Sequence, residues 1–111
     1  MLPLQFRLKN SKRISKIFQD GNYIHGKYVF VKYLPGKYDY PRLAFSLNTK
    51  FISKAVNRNR VKRLLREVVR NFGINKLSPL DIVIISKKPL NENTSFQEIQ
   101  KDMSDIFTRL R

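Results

Sequence analysis

An α+β fold, a small sheet with helices packed on it, is predicted for the 111 residues by three observations. Three stretches carry helical periodicity, two carry strand composition or alternation, and one short apolar run directly follows a helical segment as a β-α-β crossover requires. Near the N-terminus, Ile14, Ile17 and Phe18 fall at i, i+3 and i+4 after Asn10 and Ser11, which can cap a short helix that Gly21 ends. From Tyr28 to Leu34 the residues are aromatic or β-branched apart from Lys32 and Leu34, which predicts a strand closed by Pro35-Gly36. In Arg42 to Leu47 large apolar side chains alternate with small or polar ones, a second strand with one face in the core and one open.

From about Lys54 to Phe72 the period becomes helical, with Val61, Leu64, Leu65, Val68 and Phe72 in one stripe and Gly73 as the stop. Leu80 to Ile85 reads as a strand buried on both sides. A last helix, capped by Thr94 or Ser95 with Glu98 in capping-box spacing from Ser95, turns Phe96, Ile99, Met103, Ile106, Phe107 and Leu110 to the core. The order read from the residues alone is αββαβα, in one domain spanning residues 1–111.

Composition narrows the function. With 23 Lys plus Arg against 8 Asp plus Glu, the net charge of +15 is larger than solubility needs and calls for a polyanion, a nucleic acid first. Cysteine is absent, which excludes disulfides and thiolate metal sites and suits a reducing compartment. The start of the chain carries no apolar signal core, and the longest apolar run, Ile82 to Ile85, is far short of a membrane span. A cytoplasmic protein is expected, with no membrane partner.

No catalytic or metal-ligating constellation is readable. The sole histidine, His25, reads as an ordinary surface residue, and Glu98, Asp102 and Asp105, at i, i+4 and i+7 opposite an apolar stripe, read as a solvated helix face rather than a two-metal nuclease site. One His and no Cys leave a nucleophile without an arguable base.

The informative stretch runs from Lys54 to Arg70, with seven basic residues and one acid. At helical spacing Arg58, Lys62, Arg66 and Arg70 drift slowly along one side with Asn59 and Arg63 beside them, a basic ridge of about 18 Å opposite the apolar stripe. A merely solvated helix mixes Glu among its cations, whereas only Glu67 is acidic here. Arg offers bidentate donors to phosphate, Lys a point charge, and Asn59 both donates and accepts, as a base edge or 2′-hydroxyl requires.

The string Lys54-Ala55-Val56-x-Arg58-Asn59-Arg60-x-Lys62-Arg63-x-x-Arg66-Glu67 closely resembles the signature of the protein subunit of bacterial ribonuclease P. The resemblance continues through Phe6-Arg7-Leu8, Ile17-Phe18-x-x-Gly21, Arg42-Leu43-Ala44-Phe45-Ser46, and Asp81-Ile82-Val83 before Lys88-Pro89, and so covers essentially the whole chain. It implies a two-layer α/β sandwich with a small, mostly antiparallel sheet, αβββαβα order and a left-handed crossover around the basic helix, which the general handedness rule would not suggest. At least one short strand is therefore added, near Ala44 to Thr49 or Gly21 to His25.

For function, the resemblance implies a protein that assists a large catalytic RNA in removing the 5′ leader of precursor tRNA. The protein binds no cofactor of its own, Mg2+ is held mainly by the RNA, and the free protein is a monomer. Lys54, Arg58, Asn59, Arg60, Lys62, Arg63, Arg66 and Arg70 would then bind RNA near the catalytic core. A cleft between the first helix and the open sheet face would hold the single-stranded leader, lined by Ile14, Phe18, Tyr28, Phe30, Lys32, Arg42 and Ser46.

This sequence departs from the family pattern in three places. Ile14 and Lys32 stand where the family commonly has aromatics; Phe30 or Tyr28 compensates, or the cleft relies more on charge. The loop from Lys50 to Lys54 is one residue longer and lacks the usual glycine. The competing readings are a ribosomal or other structural RNA-binding protein, which shares the composition but not the motif order, and a self-sufficient nuclease.

Overall fold

The computed structural model describes residues 6–46, 55–73, 76–86 and 96–110. The elements are α1 (Ser11–Asp20), β1 (Asn22–His25), β2 (Val29–Pro35), β3 (Arg42–Ser46), α2 (Ala55–Phe72), β4 (Leu80–Ser86) and α3 (Phe96–Arg109). The order is αβββαβα. The strand absent from the residue-based reading is β1, at the second of the two places the resemblance allows. The Thr94 and Ser95 caps and the Lys50–Lys54 loop lie outside the described residues.

The four strands lie in the order β1-β2-β4-β3. β1 pairs antiparallel with β2 and β2 antiparallel with β4, while β3 runs parallel to β4. The parallel pair is joined through α2, so β3-α2-β4 is the crossover unit. Gly73 closes α2 with φ +96, a conformation costly for any residue with a Cβ, and its N–H donates to the Val69 carbonyl at 3.0 Å.

β4 is the keel of the sheet, with every residue from Asp81 to Ser86 buried. On the first face, Ile82 and Ile84 join Val29, Val31 and Leu43 beneath Val61, Leu65, Val68 and Val69 of α2 and Ile99, Met103, Ile106, Phe107 and Leu110 of α3. Each fully buried side chain of this kind contributes roughly 1.5–3 kcal/mol. α2 and α3 meet through Phe72 and Phe107, whose rings are 5.3 Å apart. On the second face, Val83 and Ile85 pack with Leu8 and with Ile17 of α1.

α1 crosses this second face from edge to edge. The chain enters it from β3, where the Leu8 N–H donates to the Leu43 carbonyl at 2.8 Å, and leaves it into β1, whose Asn22 pairs with Tyr33. Its N-terminus is capped by Asn10, whose side chain accepts from the Arg13 N–H at 3.1 Å. Arg13 fixes the helix to the sheet: its Nε donates to Asp81 Oδ2 at 2.8 Å and its Nη2 to the Pro35 carbonyl at 2.7 Å. Arg42 of β3 donates to both oxygens of the same carboxylate, at 2.9 and 2.8 Å. Asp81 is 0% exposed. Burial pushes its carboxyl pKa up, but the hydrogen bonds from Arg42 and Arg13 outweigh it and hold the carboxyl below the usual carboxylate range.

Because the folded-state pKa of Asp81 is depressed, its contribution is present above the unfolded carboxylate value of about 3.9 and is lost as pH falls through the lower folded value. Asp81→Ala should destabilise the protein by roughly 3 kcal/mol at neutral pH, the low end for a broken buried pair because both guanidinium groups keep some water contact. Urea unfolding of wild type and variant at pH 7 and in strong acid checks this. A gap that fails to narrow in acid would contradict the charged carboxylate.

Candidate nucleic-acid interface

The helical period that buries Val61, Leu65, Val68 and Val69 turns the basic residues of α2 outward. Asn59, Arg60, Arg63 and Arg70 are exposed, and Lys62 and Arg66 are half-buried where the helix meets the sheet edge. Arg70 is tied to Glu67 one turn back, so the single acid of the stretch neutralises the far end of the ridge. Lys54 and the Arg58 side chain lie outside the described residues.

Where the ridge reaches β3, a groove of about 330 Å³ opens between α2, β3, the N-terminal segment and α1. Lys62 and Arg66 of α2 and Arg7 and Lys9 of the N-terminal segment stand around Ala44, Phe45 and Ile14. The Arg66 guanidinium lies 6.0 Å from the centre of the Phe45 ring. Cations from separate segments around a partly apolar floor suit an anion attached to a flat apolar group, as in a nucleotide.

The register sets three rows across the second face. Arg42, Asp81 and Leu34 form the first, Ala44, Val83, Lys32 and Tyr23 the second, and Ser46, Ile85, Phe30 and His25 the third. Arg13 ties α1 over the first row and Ile17 packs on Val83 and Ile85, whereas Ile14 and Phe18 lie on the helix side turned toward the third. A cleft therefore runs along α1 and across the strands. Phe18, 36% exposed, forms one wall with Ile14. Lys32 crosses to that wall, its Nζ donating to the Phe18 carbonyl at 2.8 Å and lying 5.8 Å from the Phe18 ring centre. Phe30 is half-buried in the floor, and Ser46 lies at the β3 end of the same row.

Two residues expected in this cleft are committed elsewhere. Tyr28 precedes β2 and packs against the first-face core, its hydroxyl donating to Glu98 Oε2 of α3 at 2.6 Å. That hydrogen bond, chiefly, raises the phenol pKa above its ordinary value. Arg42 faces the second side but serves Asp81 on the far side of α1 from Ile14, with its guanidinium 4.9 Å from the Tyr38 ring centre.

Two of the acids of α3, Glu98 and Asp102, are also more than a solvated face, whereas Asp105 is exposed. Asp102 accepts from the N–H groups of Lys27, Tyr28 and Val29 at 2.6, 2.9 and 3.2 Å and so pins the β1-β2 turn to the helix. Gly26 is required there, since a Cβ would fall 2.6 Å from the Asp102 carboxylate oxygens. Among the described residues no group of three His, Asp or Glu side chains is placed to hold a metal ion.

The structure adds two side chains to the cleft face. His25 stacks on Phe30, with ring centres 5.3 Å apart, and Tyr23 meets His25 edge-on at 4.8 Å. Their signal is the alternation Tyr23, His25, which acquires a face only once β1 is known to be a strand and its pairing to β2 is fixed.

An open sheet face with aromatic rings, bordered by a cation-rich helix on a small α+β scaffold, is an arrangement suited to unpaired nucleic acid. Comparison with known proteins then specifies it. The Ribonuclease P family matches residues 2–111. The ribonuclease P protein component of Fusobacterium nucleatum is 36% identical over 104 residues, covering 90% of this chain and 92% of that protein. The corresponding component from Syntrophomonas wolfei is 31% identical over 109 residues, covering 98% and 90%. Among solved structures, the ribonuclease P protein of Thermotoga maritima superposes with a TM-score of 0.83 at 28% identity, covering 95% of this chain and 97% of that one. The chain belongs to the ribonuclease P protein family, the protein component of an endoribonuclease that acts in tRNA 5′ processing.

The two sides of α2 should separate in mutagenesis. Leu65→Ala, at a 0% exposed position, should cost about 2–5 kcal/mol of stability. Arg63→Ala, exposed on the ridge, should stay within about 0.5 kcal/mol of wild type while weakening RNA binding. Thermal melts and an RNA titration of both variants check the assignment of faces.

Proposed function

We propose that this chain acts as one cytoplasmic, monomeric ribonuclease P protein domain that binds the catalytic RNA subunit and the 5′ leader of precursor tRNA. The chemistry is carried by the RNA and by Mg2+ ions held mainly by it. On this reading Lys62, Arg63, Arg66, Asn59 and Arg60, with Lys54, Arg58 and Arg70, face the RNA subunit near its catalytic core. Ile14, Phe18, Phe30, Lys32 and Ser46 hold the unpaired leader. Tyr28 and Arg42 are left out of the contact set, because Glu98 and Asp81 already hold them.

The observation that carries the proposal is the groove joining the two surfaces. Lys62 and Arg66 belong to the ridge and Ile14 and Ala44 to the cleft, yet all four line one opening. A strand lying in the cleft can therefore pass to the ridge with its phosphates among cations. Stacking on Phe18 and Phe30 asks for no particular base, so leaders of any sequence are accommodated. A ribosomal or structural RNA-binding protein would share the charge but not the family match over residues 2–111.

Two measurements test the reading. Affinity for structured RNA should fall steeply with salt: if about six phosphates are neutralised, the slope of log K against log salt is roughly −4 to −5, and a slope shallower than about −2 would contradict phosphate-dominated binding. In holoenzyme rebuilt with the RNA subunit, Phe18→Leu with Phe30→Leu should weaken precursor tRNA by roughly 1–3 kcal/mol per lost stack and leave mature tRNA unchanged. Equal weakening of both substrates, in protein shown to be folded, would make these aromatics core residues only.

A further inference from the structure

The cleft does not end at Phe30. Along the third row the next side chain is His25 of β1, stacked on Phe30, and beyond it Tyr23 stands edge-on to His25. Tyr23 is 61% exposed, the most exposed of the large apolar side chains among the described residues. A solitary exposed tyrosine needs no explanation. Here, however, it continues a run of three rings that begins inside the cleft, and it lies opposite Lys32 in the register.

We propose that the leader-binding cleft continues onto edge strand β1, where Tyr23 and His25 form a second stacking platform for unpaired leader nucleotides. The proposal rests on the leader-binding reading and assigns it two residues of this chain. Two observations support it. The rings are continuous with the cleft. Lys32, between Phe18 and Tyr23, supplies positive charge for the backbone of a strand passing from one ring group to the other.

Geometry assigns the platform its nucleotides. The ridge and groove lie at the β3 edge, and β1 is the opposite edge, about 14 Å away across three strand spacings. With α2 next to the catalytic core, Tyr23 and His25 meet the leader nucleotides farther from the cleavage site. The platform should therefore act only on leaders long enough to cross the sheet.

The test uses holoenzyme rebuilt with the RNA subunit and a series of precursor tRNAs whose leaders lengthen stepwise, with mature tRNA as the reference. Tyr23→Leu with His25→Leu should bind mature tRNA and short-leader precursors as wild type does and lose about fivefold or more on the long-leader precursors. Tyr23→Phe with His25→Phe, which keeps both rings, should restore the affinity. Unchanged melting temperatures establish that both double variants are folded.

If the Leu pair loses nothing on long leaders, or loses equally at every length, while Phe18→Leu with Phe30→Leu still weakens precursor selectively, the β1 platform is overturned and the cleft stands. If wild type gains nothing from a leader and the Phe18 and Phe30 changes are silent, the leader-binding reading itself fails and the extension with it. Sedimentation of the free protein covers the remaining occupant of an exposed edge. A self-association abolished by Tyr23→Leu, without a leader-length effect, assigns β1 to a second copy of the chain and overturns the proposal.

Discussion

The carboxylate of Asp81 is both charged and dry, and the cleft exists because of how that conflict is resolved. A buried carboxylate without partners costs many kcal/mol, whereas an exposed ion pair is worth about 1 kcal/mol or less, so the partners of a buried one are fixed far more strongly than surface ions. Those partners come from different elements. Arg42 belongs to β3 and Arg13 to α1, and Arg13 also reaches the Pro35 carbonyl at the end of β2. One side chain on β4 therefore sets where α1 lies on the second face. Held over the first row and packed through Ile17, α1 covers Ile85 of the third row but leaves Phe30 and Ser46 only half-buried and His25 exposed, with Ile14 and Phe18 along its border. Without that tie, helix and sheet could close on each other and remove the cleft.

The basic helix shows a second balance. Like charges four residues apart cost α2 a few tenths of a kcal/mol per pair, and Glu67 offsets little of this because it is tied to Arg70 at one end. The buried stripe of Val61, Leu65, Val68 and Val69 contributes roughly 1.5–3 kcal/mol per side chain. Packing outweighs repulsion several-fold, so the fold can carry an unneutralised ridge. Lys62 and Arg66 show the coupling most directly. Packing against the sheet edge leaves them half-buried, and their charged ends are thereby directed at the groove rather than spread in solvent.

Elements with a strong period were legible in the sequence. The stripes of α2 and α3 follow the 3.6-residue spacing, and the double burial of β4 follows from its unbroken apolar run; among the described residues the structure adds only Val69 to the α2 stripe. β1 was not legible from the residues themselves, because four residues, most of them exposed at a sheet edge, carry too little alternation to register. Tyr28 shows a different limit. The resemblance places it in the cleft beside Phe30 and Lys32, but it precedes the strand, and the three N–H groups held by Asp102 turn it toward α3 and Glu98. The acid that decides this lies 74 residues away in sequence. Arg42 has the right face but the wrong side of α1, a distinction that needs the position of the helix. His25, read as an ordinary surface residue, lies on the cleft face because of β-pairing that no local pattern reveals.

On the proposed reading, the two modes of contact share a property that the scaffold explains. Guanidinium and ammonium groups on a ridge bind phosphates, and rings on an open sheet bind base faces, and neither reads base edges. Sequence discrimination would need donors and acceptors held rigidly at base edges, and in the described cleft the polar side chains are few. Ser46 is small, Arg42 is consumed by Asp81, and Lys32 is held by the Phe18 carbonyl. What the rings favour is an unpaired strand, whose base faces are open to stacking, over a duplex, whose bases are already stacked on one another. A protein component built this way adds affinity for any substrate that has a single-stranded extension beside a structured body. On the same reading Ile14 and Lys32 can stand in the cleft without a ring, because stacking depends on ring area along the path and not on which strand supplies the ring.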